Sequence, residues 1–358
     1  MRRSGPLAEA YKDAGIQVSI RSDMPTASSL PRFSRNLVGY SRGFWQLFRA
    51  SQFRRDLASA GTQFDVVHFN HEGLAMLAWW FSRRRSCHTT MHIRKSITPT
   101  LFARFQMKMA SKSIDHAIFI TENEEALFRS LGGSAPGTVI YNVYRWKDQK
   151  AGLRPSVSEE DHRFKVAVLS NYAYSRGIDR IVEVASHLKQ ANRDGIVFVV
   201  AGDMRLRGKL PASLRKAARQ GGTLEDYARQ SGVADMFQFL GHVAEPAKVL
   251  AACDAVFKPT RQDNPWGRDI IEGLAAGKVV ITNGTWNKFV EDGVTGILLP
   301  SFDGKVAASR IAALAEDSAM CARLGSAATA RAENLFDPAT NAARLVQIWN
   351  NIGSGITE

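Results

Sequence analysis

Two α/β halves, each a parallel sheet layered with helices, are what this sequence predicts, on three observations. Short β-branched runs alternate with stretches carrying apolar residues at helical spacing, the pattern of parallel βαβ units. That series runs twice, interrupted by one polar stretch with Gly, Pro and Ser, WKDQKAGLRPSVSEEDHR (146–163). The length of 358 residues suits two domains of about 150 residues each.

The elements follow in order. PLAEAYKDAG (6–15) predicts a helix closed by Gly15, and IQVSI (16–20) a strand. In a doubly wound domain such a helix follows a buried strand and a glycine-containing turn, yet only MRRSG precedes it. A first strand is therefore missing. Either the chain is truncated or mis-started, or another element fills that sheet position; a misplaced start codon is the favoured case. Further strands are predicted at FDVVHFN (64–70), CHTTMH (87–92), AIFIT (117–121) and TVIYNV (138–143). The expected domains are residues 1–150, a linker at 151–163, and 164–337, with a last helix over 338–358. The second series comprises KVAVLSN (165–171), the helix IDRIVEVASHLKQA (178–191), IVFVVAG (196–202), MFQFLG (236–241), AVFKPT (255–260) and VVITN (279–283).

Composition narrows the class. Hydrophobic residues make up 45% and charged residues 23%, which excludes a disordered or collagen-like chain. The longest oily patch, LAMLAWWF (74–81), is too short to span a membrane, and the N-terminus has no apolar core of a secretory signal. Cys87, Cys253 and Cys321 form no CxxC pair, so neither a disulfide framework nor a zinc knuckle is indicated and a cytoplasmic setting is expected. Net charge is +13, of which +11 falls within residues 1–150. Such asymmetry favours an anionic partner, whether nucleic acid, a membrane face or a phosphorylated substrate; solubility alone is the plainer alternative.

Parallel sheets bind ligands at the carboxyl ends of their strands, and three strand ends in the second half suit this. LSNYAYSRG (169–177) brings Arg176 and Gly177 to a helix start, where arginine would meet a diphosphate or simply stay solvated. VVAGDM (199–204) offers Gly202 for close backbone approach, or a plain turn. In FKPTRQDNPWGRDIIEGLAAGKVVITNGTWNKFVEDGVTGILLP (257–300), a polar loop leads into a short helix from about Arg268 to Ala276, capped by Asn264 or Asp263 and ended by Gly277. Glu272 lies one turn into it, placed to accept from sugar hydroxyls or to pair with Arg268 at i,i+4.

The third segment resembles the donor-site signature of retaining nucleotide-sugar glycosyltransferases of the GT-B fold, family four. The family pattern is a strand, E-P-F-G, Glu four residues on, A-A-G-x-P-V-V, a G-G turn and D-G-x-T-G. Here NPWG, Glu272, AAGKVVI (275–281), Gly284 and DGVTG (292–296) occur in that order. LSNYAYSRG is similar to the family's G-R-x-x-x-x-K-G, VVAGD to its strand-ending glycine, and CDAVFKPT to A-D-V-F-V-x-P-S. The likeness is looser in the first half, through FDVVHFN, the strand ending at His92, DHAIFIT and TVIYNV.

The resemblance implies two Rossmann-like domains facing across a cleft, the first holding the acceptor and the second the donor, with NAARLVQIWNNI (341–352) crossing back to the first. It implies transfer from a nucleotide-diphosphate sugar with retained configuration and cleft closure that excludes water. Glu272 would bind the nucleotide ribose, Arg176 the diphosphate, and His92 the transferred sugar. Ser170, Asn171, Gly177, Gly202, Asn264, Pro265, Trp266, Gly267 and Arg268 would line the donor, and Ser4 and Gly5 would be the remains of the glycine-rich loop. No D-x-D occurs, so no metal is expected and cationic side chains take its place. Three positions depart from the family: Asn264 replaces its first acidic residue, Asn171 its arginine, and YNVY (141–144) its I-P-N-G. No covalent nucleophile is nominated.

The expected acceptor is a glycan or lipid-linked glycan of cell-surface polysaccharide or glycolipid synthesis. RFSRNLVGYSRGFWQLFRASQFRRDL (32–57) interleaves arginines with aromatics, and from about Phe44 predicts a helix suited to an anionic membrane surface. A non-catalytic GT-B-like nucleotide- or glycan-binding protein is the alternative. A nucleic-acid binder ranks last, since no known module supports it.

Overall fold

A computed structural model of the chain describes residues 3–25, 37–94, 99–144, 161–207, 210–220 and 222–354. The chain divides into two units: Met1–Asn142 with Ala339–Glu358, and Val143–Pro338. The expected linker lies outside the described residues up to position 160, as do residues 32–36 of the basic stretch.

In the first unit, Pro6 sets the opening turn of α1 (Pro6–Asp13), and Gly15 at φ +74° ends it. The strand expected at 16–20 does not form. Ile16 and Ile20 stay exposed, and residues 16–20 have no ladder partner among the described residues. Alternating apolar residues favour extension, while a strand needs a neighbour to bond. The basic stretch makes two helices rather than one, α2 (Leu37–Arg49) and α3 (Ser51–Gln63), broken at Ala50. Then follow β1 (Val66–Phe69), α4 (Ala75–Ser82), β2 (His88–Ile93), α5 (Leu101–Ser111), β3 (His116–Phe119), α6 (Glu122–Ser130) and β4 (Gly137–Val139). The four strands pair in parallel in chain order, β1-β2-β3-β4, so among the described residues β1 is an edge. The oily patch becomes α4, whose Ala75, Ala78 and Phe81 are fully buried with Met91 and Phe119 of the sheet.

The second unit holds β5 (Phe164–Leu169), α7 (Arg180–Gln190), β6 (Ile196–Ala201), α8 (Ala212–Gln220), α9 (Leu224–Gln230), β7 (Phe237–Gly241), α10 (Pro246–Ala251), β8 (Ala255–Lys258), α11 (Arg268–Ala275), β9 (Val279–Asn283), β10 (Gly296–Leu299), α12 (Gly304–Glu316) and α13 (Ser318–Phe336). β10, unforeseen from the sequence, is a four-residue run behind the DGVTG turn. The sheet order is β10-β9-β8-β5-β6-β7, all parallel. β6 is buried at every residue, as a central strand covered on both faces must be. The last helix, α14 (Pro338–Gly353), belongs from Ala339 onward to the first unit.

One topological fact positions the site. From central β5 the chain builds outward through β6 and β7, then returns to lay β8 on the other side of β5. The adjacent strands β5 and β8 thus form the point where the strand order reverses, and the carboxyl ends of strands at such a point are where parallel sheets bind ligands.

Candidate functional site

The loop after β5 makes a short 3₁₀ turn at Tyr174–Arg176 and reverses at Gly177, φ +70°. Arg176 is turned back: its Nη1 donates to Ser170 Oγ at 2.7 Å and to the Asn171 carbonyl at 3.2 Å. Among the described residues it pairs with no carboxylate, and its Nε and Nη2 make no hydrogen bond. Asn171 Oδ1 accepts from the Asp203 N–H at 2.8 Å, tying this loop to the one after β6. Gly202, φ +142°, lies beside them so closely that a Cβ would meet the Ser170 carbonyl. Its freedom lets two loops of the protein touch.

The loop after β8 is bolted to the first. Arg261 forks onto Asp179 at 2.7 and 2.6 Å, lies 3.9 Å from the Tyr174 ring centroid, and donates its backbone N–H to Ser175 O at 3.1 Å. Lys258, nearly buried, joins the Trp266 carbonyl and Asp269 Oδ1. The expected caps of α11 are elsewhere. Asn264 Oδ1 accepts from the Thr260 hydroxyl, and Asp263 accepts from Thr285 N–H at 2.8 Å and Thr285 Oγ1 at 3.0 Å. Asp263 itself takes φ 35°, rare for a non-glycine residue, and its carboxylate meets Thr285 in the turn after β9. Gly267, φ +136°, holds the N-cap position with no side-chain hydrogen bond; Ile270 N–H donates to Asp269 Oδ1 at 3.0 Å, and among the described residues the Arg268 and Asp269 N–H groups at the start of α11 stay uncapped. Gly277, φ +64°, follows the helix end as expected.

Of the two readings of Glu272, the pair with Arg268 is the one the structure contains. Its Oε1 accepts from Arg268 at 2.7 and 3.2 Å, the i,i+4 pair. Its Oε2 takes no hydrogen bond among the described residues, although the residue is only 7% exposed. Burial raises its carboxyl above the ordinary range against the pull of Arg268. Trp266 packs edge-on against Trp286, and Pro265 lies against Gly284.

In the first unit, His92 closes β2 beside His68 of β1. His68 Nε2 is 2.8 Å from His92 Nδ1, and His68 Nδ1 is 2.7 Å from Thr90 Oγ1, which also accepts from Trp349 Nε1 of α14 at 3.2 Å. Burial, then the Arg94 charge, pushes His68 down to about 4; burial, then His68 and Arg94, pushes His92 down to about 3. Both rings are thus neutral near pH 7. Below about pH 6.5 the unfolded chain takes up protons that the folded rings refuse, so stability is expected to fall as pH drops toward about 4. The slope is at most about 1.4 kcal/mol per pH unit per group. Denaturant melts between about pH 7 and about pH 4.5 should show it, with a shallower decline in His68→Gln. Ser4 and Gly5 stand at the head of α1, also in the first unit, and Gly5 has open space where a side chain would go.

The second unit therefore carries Ser170, Asn171, Arg176, Gly177, Gly202, the 264–268 loop and Glu272 on the segments that follow the carboxyl ends of β5, β6 and β8; His92, Ser4 and Gly5 belong to the other unit. Lys258, the Arg261–Asp179 clamp and His68 were not foreseen. Lys258 breaks an otherwise apolar strand, the one local signal among them.

Comparison with known proteins bears on the whole chain. The sequence model of the family "Glycosyl transferases group 1" matches residues 150–331, and that of "Glycosyltransferase Family 4" residues 6–144. The α-D-kanosaminyltransferase of Streptomyces kanamyceticus is 26% identical, over 92% of this chain and 87% of its own. Among solved structures, Anabaena HepE in complex with UDP and glucose superposes with TM-score 0.74 at 19% identity, covering 98% of this chain and 90% of that one. Sucrose-phosphate synthase of Thermosynechococcus elongatus gives 0.65 at 16% identity, covering 86% and 79%. The two parallel-sheet α/β domains expected from the sequence are thus those of the GT-B fold.

Proposed function

The chain belongs to the glycosyl transferases group 1, and from that membership we propose that it moves a sugar from a nucleotide-diphosphate donor to a glycan or lipid-linked acceptor, with retention and without a metal ion. The observation that carries the reading is that Arg176, free of any described carboxylate, and the start of α11 with the open oxygen of Glu272 follow the carboxyl ends of two adjacent strands, β5 and β8. Negative charge grows on the departing diphosphate. A guanidinium and a helix N-terminus held in place before the reaction stabilise it there without reorganisation. Glu272 Oε2 accepts from the ribose hydroxyls. HepE was crystallised with UDP and glucose, which makes UDP the first nucleotide to try.

Calorimetric titration with UDP, GDP and ADP tests this. One nucleotide is expected to bind in the micromolar range, and Glu272→Ala to weaken it about 10- to 100-fold, the worth of a lost hydrogen bond to a charged acceptor. A well-folded protein that binds none of the three would end the transferase reading. Binding without turnover would favour the non-catalytic alternative, whose one supporting observation is Asn264, neutral and held by Thr260. Retention rests on the family resemblance and is measured by comparing the anomeric proton couplings of donor and product. Turnover is expected to survive a chelator, because Arg176 and the α11 start supply positive field at the leaving group.

We further propose a cytoplasmic protein that docks on an anionic membrane in cell-surface polysaccharide or glycolipid synthesis. No helix among the described residues is long and apolar enough to cross a membrane. Trp45 and Phe48 of α2 are exposed, with Arg49 over Trp45. Phe44 touches Trp79, which opens onto a groove of about 540 Å³ shared with Arg83, Phe105, Lys108 and Lys112. Aromatics beside cations suit the interface of an anionic bilayer. Sedimentation with phosphatidylglycerol vesicles should show binding at low salt that high salt and Phe48→Glu each remove; no binding at low salt overturns the docking.

A further inference from the structure

The group of side chains around His92 fixes where its proton sits. The indole Nε1–H of Trp349 can only donate, and it occupies one lone pair of Thr90 Oγ1 at 3.2 Å. Thr90 is 0% exposed, so its own hydroxyl proton needs a protein acceptor. Among the described residues the acceptor in reach is Nδ1 of His68, at 2.7 Å. With that nitrogen bare, the neutral His68 ring carries its proton on Nε2 and donates to Nδ1 of His92 at 2.8 Å. Nδ1 of His92 is therefore an acceptor, and its proton is left on Nε2, which no described residue engages. The reverse order would leave the Thr90 hydroxyl proton buried without an acceptor.

We propose that Trp349, Thr90 and His68 are positioning residues that order these protons so that His92 presents Nε2–H, a hydrogen-bond donor, to a sugar hydroxyl bound beside it in the first unit. The sugar-transfer reading above is needed only for what receives that bond; the proton order stands on the geometry of the first unit alone. A relay of this kind makes a neutral imidazole a one-way group. It can steady an oxygen that gains electron density and cannot compete for a hydroxyl proton.

The decisive measurement uses the full-length protein labelled with ¹⁵N-histidine, read by long-range ¹H–¹⁵N correlation near pH 7. His68 and His92 are assigned through single glutamine variants. Both rings are expected to show a bare Nδ1 and a protonated Nε2, with the other tautomer roughly tenfold or more rarer, the ratio that one stranded buried hydroxyl commands. Protonated Nδ1 on His92, or a cationic ring, overturns the proposal. Thr90→Val removes the hydroxyl at nearly constant shape and is expected to mix the His92 tautomers. It should lower kcat about tenfold while KM for the donor stays within about twofold, and Thr90→Ser should restore both. Unchanged tautomers in a folded Thr90→Val also overturn the proposal; if that variant does not fold, the wild-type spectrum decides. A spectrum with the expected tautomer from a protein that transfers no sugar would keep the relay and discard the transferase.

Discussion

Arg176→Ala is expected to lower kcat about 10²- to 10³-fold, the usual consequence of removing a preorganised charge from a site where negative charge develops. The ground-state effect should be smaller, because in the proposed site the start of α11 would still face the diphosphate. The Arg176 side chain pairs with no described carboxylate, and its hydrogen bonds among the described residues go to Ser170 Oγ and the Asn171 carbonyl. Stability should therefore stay within about 0.5 kcal/mol of wild type, so a collapse of activity cannot be blamed on unfolding. Arg176→Lys is the informative companion. The family pattern has lysine at this point, and a lysine ammonium supplies the charge without the planar fork. It should recover all but about tenfold of the rate. Steady-state kinetics of the three proteins, with thermal melts beside them, check the whole set. Equal rates for alanine and wild type would remove Arg176 from the chemistry.

Gly177→Ala is expected to be the most damaging small substitution in the second unit. Gly177 sits at φ +70°, where a side chain costs about 1–2 kcal/mol, and its added Cβ would overlap the Pro259 carbonyl oxygen. Backbone cannot swing aside as a side chain can, so the loops after β5 and β8 must separate. That strains the Arg261 contacts to Asp179, Tyr174 and Ser175 together. A total loss of about 3 kcal/mol or more is expected, with nucleotide affinity falling alongside. Gly15→Ala is the control: its φ is +74°, yet open space surrounds the new methyl group. It should cost only the conformational part, about 1–2 kcal/mol. Denaturant melts of both variants isolate the packing contribution as their difference, and equal losses would mean that the two loops yield easily.

How far the sequence was readable depends on the range of the forces involved. Every strand of the second sheet except β10 was legible, because central strands such as β6 and β9 are buried at every residue and must be apolar throughout. Residues 16–20 show the limit of such patterns: Ile16, Val18 and Ile20 alternate as a strand would, but pairing depends on a partner that local sequence does not specify. Glu272 and Arg176 were placed by motif, at spacings of a few residues along one loop or helix. Asp263 and Asn264 misled for the same reason. Both are good capping residues just before a helix, but their side chains are taken by Thr285 and Thr260. His68 was invisible, since its meaning lies in three contacts across the sheet and to a helix near the far end of the chain.

That last helix has a bearing on how the protein is made. The second unit is one continuous stretch, Val143–Pro338, whereas the first is completed only by residues from Ala339 onward. On the ribosome, chains emerge N-terminus first and domains fold as units. The earlier-born half must therefore wait, with Thr90 lacking the indole of Trp349, while the later-born half can close as soon as it is clear. The half completed last in chain order is the strongly basic one, and its like charges repel between copies while α14 is still to come.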